Sequence, residues 1–81
     1  MGSVKAYVLV TTSIGLEYDI AEEIMKFKGE SVKVSVDVVF GEYDLVVTAE
    51  GKDLKDIDEL VTNIRRISGV TKTVTLISSR G

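Results

Sequence analysis

The chain has no cysteine and no histidine. The first absence excludes disulfides, thiolate nucleophiles and thiolate zinc sites. The second excludes imidazole metal ligands and imidazole acid–base catalysis. Positive charge is also in deficit. Ten Lys and Arg stand against 13 Asp and Glu, for a net charge of −3, whereas a free-standing nucleic-acid binder usually carries a basic face. No apolar run approaches the ~20 residues that a membrane helix needs, and no charged start followed by an apolar stretch marks a signal peptide. Linkers and low-complexity segments are lacking. A soluble cytoplasmic protein with no membrane partner is the expectation. What is present fits one folded domain, residues 1–81: apolar residues make up 44% of the chain, although 81 residues is small for a self-sufficient core.

Six elements follow in order. Residues 4–12 (VKAYVLVTT) are dense in β-branched and aromatic residues and read as a strand. Ser13-Ile14-Gly15 is a break. From Leu16 to Lys28 the apolar residues Leu16, Ile20, Ile24 and Phe27 fall at helical spacing. Acidic residues (Glu17, Asp19, Glu22, Glu23) load the early turns and Lys26 and Lys28 the last, which complements the helix dipole. Gly29 is then placed as the C′ residue. Residues 32–40 alternate, with Val32, Val34, Val36, Val38 and Phe40 on one face, and 43–50 form their partner strand. Asp53 suits the N-cap of a second helix carrying Leu54, Ile57, Leu60, Val61 and Ile64 on one stripe. Gly69 ends it, and residues 70–78 are the last strand.

The order βαββαβ is the ferredoxin-like arrangement, an α+β fold. Right-handed crossovers place both helices on one face of a four-stranded antiparallel sheet, with strand order 4-1-3-2. The opposite face should then be polar in a monomer, but the strands are apolar on both sides. Val4, Ala6, Val8 and Val10 point one way and Tyr7 and Leu9 the other; Leu45 and Val47 oppose Val46; Val74 and Leu76 oppose Thr75 and Ile77. At roughly 25 cal/mol per Å² of apolar surface, five or six such side chains favour association by several kcal/mol. An exposed patch of that size usually marks an interface. Val-rich strand propensity with scattered exposed residues is the blander explanation.

Chemistry concentrates at the hairpin Val39-Phe40-Gly41-Glu42-Tyr43-Asp44-Leu45-Val46. Gly at the first central position of a two-residue turn predicts type II′ geometry, and a residue without Cβ leaves its backbone open to a close neighbour. Glu42 and Asp44 place two carboxylates beside the Tyr43 phenol. A carboxylate pair can hold a metal or move protons, but no third converging ligand is visible. Solvated hairpin residues explain the pair equally well, as sheet packing explains Tyr43. Thr71, Thr73 and Thr75 alternate along the last strand, where β-propensity alone suffices; with the open Gly41 backbone they offer hydroxyls and N–H groups suited to a zwitterionic small molecule. No metal, cofactor or catalytic residue is expected. Arg65, Arg66 and Arg80 read as dipole-complementing or solubilising residues.

The hairpin pattern Gly-x-Tyr-Asp-Leu at 41–45 and the closing Gly-Val-x-x-Thr-x-Thr-Leu at 69–76 occur together with Ala6-Tyr7-Val8-Leu9-Val10 and the helix Leu54…Asp58-Glu59-Leu60-Val61. In these stretches the chain resembles the ligand-sensing (RAM) domain of the Lrp/AsnC family, from Val4 to Ser78. The resemblance implies a homodimer formed through the sheets, as an α/β sandwich, and dimers joined into rings of eight or ten chains. It implies an amino-acid effector held between dimers, against the hairpin of one chain and the last strand of another. Carried over by position, that implicates Gly41, Glu42, Tyr43, Asp44 and Leu45 on the turn and Thr73, Thr75 and Ile77 on the strand. Bare N–H groups would hold the carboxylate, and Asp44 would accept from the α-ammonium. Full-length members carry a helix-turn-helix reader ahead of this domain. None is present here, so the expectation is a stand-alone or excised sensing domain without direct DNA binding, with full-length regulators of the family as candidate partners. Residues 29–38 fit the family pattern poorly and leave the register of the second strand open.

Other domains share the topology. An ACT domain also binds amino acids at subunit interfaces, but its glycine signature after strand one is matched only by Gly15. A purely structural oligomerisation module is a further alternative. An RNA-recognition sheet needs aromatic and basic residues on its open face. A ferredoxin-like metal carrier needs a cysteine pair. An acylphosphatase-like enzyme needs an Arg in the loop after strand one, where residues 11–16 hold no basic residue.

Overall fold

Alternating valines and two amphipathic stripes fold as expected in the computed structural model, which describes residues 3–29 and 31–79. The elements are β1 (Val4–Thr12), α1 (Glu17–Met25), β2 (Val32–Val38), β3 (Leu45–Gly51), α2 (Leu54–Arg65) and β4 (Val70–Ile77). The strands form one antiparallel sheet in the order β2-β3-β1-β4. The fold is therefore ferredoxin-like, with β1 and β3 central and β2 and β4 at the edges.

The pleat sorts side chains by parity. Ala6, Val8 and Val10 of β1, Val34 of β2 and Leu45, Val47 and Ala49 of β3 point toward the helices. They pack with Ile20 and Ile24 of α1 and Ile57, Leu60 and Ile64 of α2 to form the core. Strand two settles in a definite register: Val34 opposes Ala49, Val36 opposes Val47 and Val38 opposes Leu45. A one-residue slip would expel these valines from the core, which is why the pairing is specified there. No residue of β4 is fully buried; this edge strand overhangs the helix layer.

Helix boundaries depart from the sequence expectation. α1 closes at Met25, and the chain winds down through i→i+3 bonds, from the Phe27 N–H to the Ile24 carbonyl (3.0 Å) and from the Lys28 N–H to the Met25 carbonyl (3.4 Å). Such tightened turns satisfy end carbonyls without a left-handed cap. Gly29 accordingly has no positive φ and is not the expected C′ residue; its N–H donates instead to the Val32 carbonyl (3.0 Å) and leads into β2. α2 is capped as expected, the Asp53 carboxylate accepting the Asp56 N–H at 3.2 Å. Leu54 departs from the expected buried stripe: it is 57% exposed. Gly69, at φ +102°, turns the chain from α2 into β4. A Cβ there would stand 2.8 Å from Leu16 Cδ1, so the position also lets the start of α1 approach.

Candidate functional site

The β2–β3 connection is not a two-residue turn. β2 ends at Val38 and β3 starts at Leu45, leaving a six-residue loop closed by the Val39 N–H donating to the Asp44 carbonyl at 2.9 Å. Phe40 lies past the strand end and is fully exposed, not part of the β2 face. Gly41 does take positive φ, +137°, and nothing lies within 4 Å of where a Cβ would sit. The longer loop follows from Asp44, whose side chain and backbone are both committed to the sheet. Its N–H donates to the Val10 carbonyl (2.9 Å), and its Oδ2 accepts the Thr12 N–H (2.8 Å) and faces the Thr12 hydroxyl at 3.5 Å.

The Thr12 N–H faces the β3 side, as the Val10 carbonyl two residues earlier does, and needs that partner because the β1–β3 pairing ends at Val10 and Leu45. On the β4 side of the same strand the ladder is interrupted. Thr11 pairs with Lys72, but Thr12 pairs with Val70, so Thr71 is an extra residue on β4. The result is a β-bulge, which leaves local backbone groups without their ladder partners. The Thr71 hydroxyl donates to the Thr11 carbonyl at 3.1 Å and serves that edge. Asp44 Oδ1 makes no hydrogen bond among the described residues and remains available at the loop. Tyr43 beside it is half-buried, and Glu42 is exposed.

The strand half of the expected site divides in two. Thr73 opposes Val10, level with the hairpin base, and lines an open cleft of about 500 Å³ with Arg65, Val70, Thr71 and Lys72. Thr75 and Ile77 line a second groove of about 540 Å³, floored by Leu54, Ile57 and Val61 and edged by Lys55 and Asp58. Ile77 opposes Ala6, four residues before Val10 on β1, or roughly 13 Å away at the strand rise. The Leu45 side chain is wholly buried in the core, so it can lend a ligand only its backbone position. One chain thus brings Gly41, Glu42, Tyr43 and Asp44 together on the loop, and Thr75 and Ile77 together in the groove, but does not join the two sets. Arg65 beside Thr73 and Leu54 beside Ile77 carry no distinctive sequence signal; helical residues meet β4 only through the packing of α2 on the sheet. Among the described residues, no three acidic side chains converge as a metal site.

The helix-free sheet face carries the second feature. Leu9 lies between Val46 and Val74, and Tyr7 lies beside Leu76, so five apolar side chains form a continuous stripe across β3, β1 and β4. Leu76 is 49% exposed and the other four are half-buried. Both signs of charge surround the stripe: Lys5, Lys33 and Glu50 align at one end, and Asp37 and Lys72 flank the other. The Lys5 ammonium lies 5.7 Å from the Tyr7 ring centroid, drawing its stem along the stripe.

An apolar sheet face, a polar loop and two edge grooves lie on a ferredoxin-like fold, and no helix among the described residues is long and apolar enough to cross a membrane. Residues 5–80 match the model of the Lrp/AsnC ligand binding domain, and the chain belongs to that family. The family's domains oligomerise and bind amino-acid effectors. The crystal structure of FFRP-DM1 is similar at 37% identity over 93% of this chain and 97% of that one, with a TM-score of 0.79. TTHA0845 from Thermus thermophilus is similar at 32% identity over 96% of this chain and 95% of that one, with a TM-score of 0.83. AsnC of E. coli shares the fold at 16% identity (TM-score 0.74); this chain spans 96% of itself but 52% of that protein. No curated protein is found to match the chain.

Proposed function

We propose that this chain is a cytoplasmic amino-acid-sensing domain that dimerises through its helix-free sheet face and assembles further into a ring. The carrying observation is the stripe Tyr7, Leu9, Val46, Val74 and Leu76. It crosses three strands and is framed by charges of both signs, which a two-fold partner can match. A free amino acid binds between dimers, its ammonium on the free Oδ1 of Asp44 and its carboxylate on backbone N–H groups near Gly41. Thr73, Thr75 and Ile77 of a neighbouring copy complete the pocket. The separation of Thr75 and Ile77 from the hairpin loop within one chain supports a site shared between copies. Binding biases the assembly, and through it transcriptional regulators of amino-acid metabolism; the chain itself neither catalyses a reaction nor reads DNA.

Calorimetry against the common amino acids tests the ligand, and light scattering at micromolar concentration tests the assembly. Binding below millimolar together with a mass above the dimer is the expected result. A mass that persists near 8.8 kDa overturns the assembly. Assembly without binding of any amino acid leaves a purely structural oligomerisation module.

A further inference from the structure

Charge is distributed unevenly over the clefts of the molecule. The cleft at Arg66 also holds Glu23, the groove at Lys55 also holds Asp58, and the pocket at Lys5 and Lys33 also holds Glu50. The cleft of about 500 Å³ between the end of α2 and the start of β4 differs. Arg65 and Lys72 line it with Val70, Thr71 and Thr73, and no carboxylate does. The chain carries more acidic than basic residues, so two cations with no acid between them depart from its average surface. Neither forms an ion pair among the described residues, where Lys26 pairs with Glu23. Complementing the helix dipole accounts for Arg65, in the last turn of α2, but not for Lys72 on β4.

The backbone at this cleft is open as well. β4 is an edge strand, so its outward N–H and C=O groups have no strand partner. Thr71 is the extra residue of the bulge and has no cross-strand partner on β1 either. The Thr71 hydroxyl is committed to the Thr11 carbonyl, but the half-buried Thr73 hydroxyl makes no hydrogen bond among the described residues. Two cations, a spare hydroxyl and edge-strand N–H groups are donors without a competing acceptor side chain. We propose that this cleft binds an oxyanion group of a small molecule, a phosphate or a carboxylate, held by the Arg65 guanidinium and the Lys72 ammonium. The site lies within one chain and needs no second copy. It is separate from the hairpin loop, where Glu42 and Asp44 repel the same anion. Thr73 is common to this cleft and to the amino-acid pocket proposed above; the two cations are not.

The test is calorimetric titration of the full chain with inorganic phosphate and, separately, with succinate, at constant ionic strength set by sodium chloride. Saturable binding of at least one is expected, with a melting temperature that rises with its concentration, as ligation of the folded state requires. Arg65→Ala and Lys72→Ala change exposed residues, so the fold should survive, as circular dichroism would verify. Each should weaken binding about tenfold, as for the loss of one charge-assisted hydrogen bond. Arg66→Ala removes the adjacent cation, which lies in the cleft with Glu23, and should leave binding unchanged. Binding of phosphate alone or of succinate alone assigns the group, and binding of both assigns any small oxyanion. If neither binds, or if Arg66→Ala weakens binding as much as Arg65→Ala does, net charge rather than this cleft governs and the site is wrong. The amino-acid site at Asp44 is untouched by that result.

Discussion

The Asp44 carboxylate accepts the backbone N–H of Thr12 at 2.8 Å, across 32 residues of sequence. One side chain thereby satisfies the donor left where β3 stops pairing with β1 and fixes the hairpin loop to the end of β1. The same carboxylate keeps its second oxygen for a ligand, so scaffold and candidate site share one residue.

That double role separates two substitutions. Asp44→Ala strands a nearly buried N–H and should destabilise the chain by about 1–3 kcal/mol. Asp44→Asn keeps an acceptor for Thr12 and should lose less, while removing the charge that would hold an ammonium. Urea unfolding reads the first effect and calorimetry the second. An Asn variant that binds amino acids as tightly as the wild type places the ammonium elsewhere.

Leu9 lies at the centre of the open-face stripe, between Val46 and Val74. Leu9→Lys should be tolerated by a monomer, since the side chain points away from the core, but should bury an unpaired charge in a sheet-to-sheet dimer. The expected outcome in light scattering is a shift toward 8.8 kDa. An unchanged mass would move the dimer interface off this face.

Two glycines with positive φ should respond differently. At Gly69 a Cβ would meet Leu16 Cδ1 at 2.8 Å and Ile20 Cδ1 at 3.0 Å, at φ +102°. Gly69→Ala therefore combines backbone strain with displacement of α1, and a loss of about 2–4 kcal/mol is expected. At Gly41 the surroundings are empty and only the φ of +137° opposes a side chain. Gly41→Ala should cost about 1–2 kcal/mol, and any larger effect on ligand binding would reflect a neighbouring molecule at the loop. Thermal melts rank the two; equal losses would show that packing at Gly69 contributes nothing.

Thr73 lies with Arg65 in one cleft. If the ligand's polar groups reach this strand, Thr73→Val should reduce amino-acid affinity by about 1 kcal/mol, as for a neutral hydrogen bond, without altering the melting temperature. Equal affinity in calorimetry would remove Thr73 from the site.

The sequence by itself determined the element order, the sheet topology and the two-sided apolarity of the strands. These depend on local periodicity: a period of two read over 32–40 and 43–50, of which the strands occupy 32–38 and 45–51, a helical stripe at Ile57, Leu60 and Ile64, and an Asp cap at position 53. Family membership was legible in the hairpin and last-strand patterns for the same reason, since both are contiguous. Only the tertiary structure decided the rest. The loop between β2 and β3 is six residues rather than two because Asp44 is held by Thr12, a partner 32 positions away that no local pattern announces. Gly29 does not cap α1 because i→i+3 bonds close the helix first. Leu54 belongs to an open groove, not to the core, because α2 leaves the overhanging end of β4 uncovered. In each case the outcome depends on which distant backbone or side chain arrives at a position, and that is set by the packing of whole elements rather than by residue type.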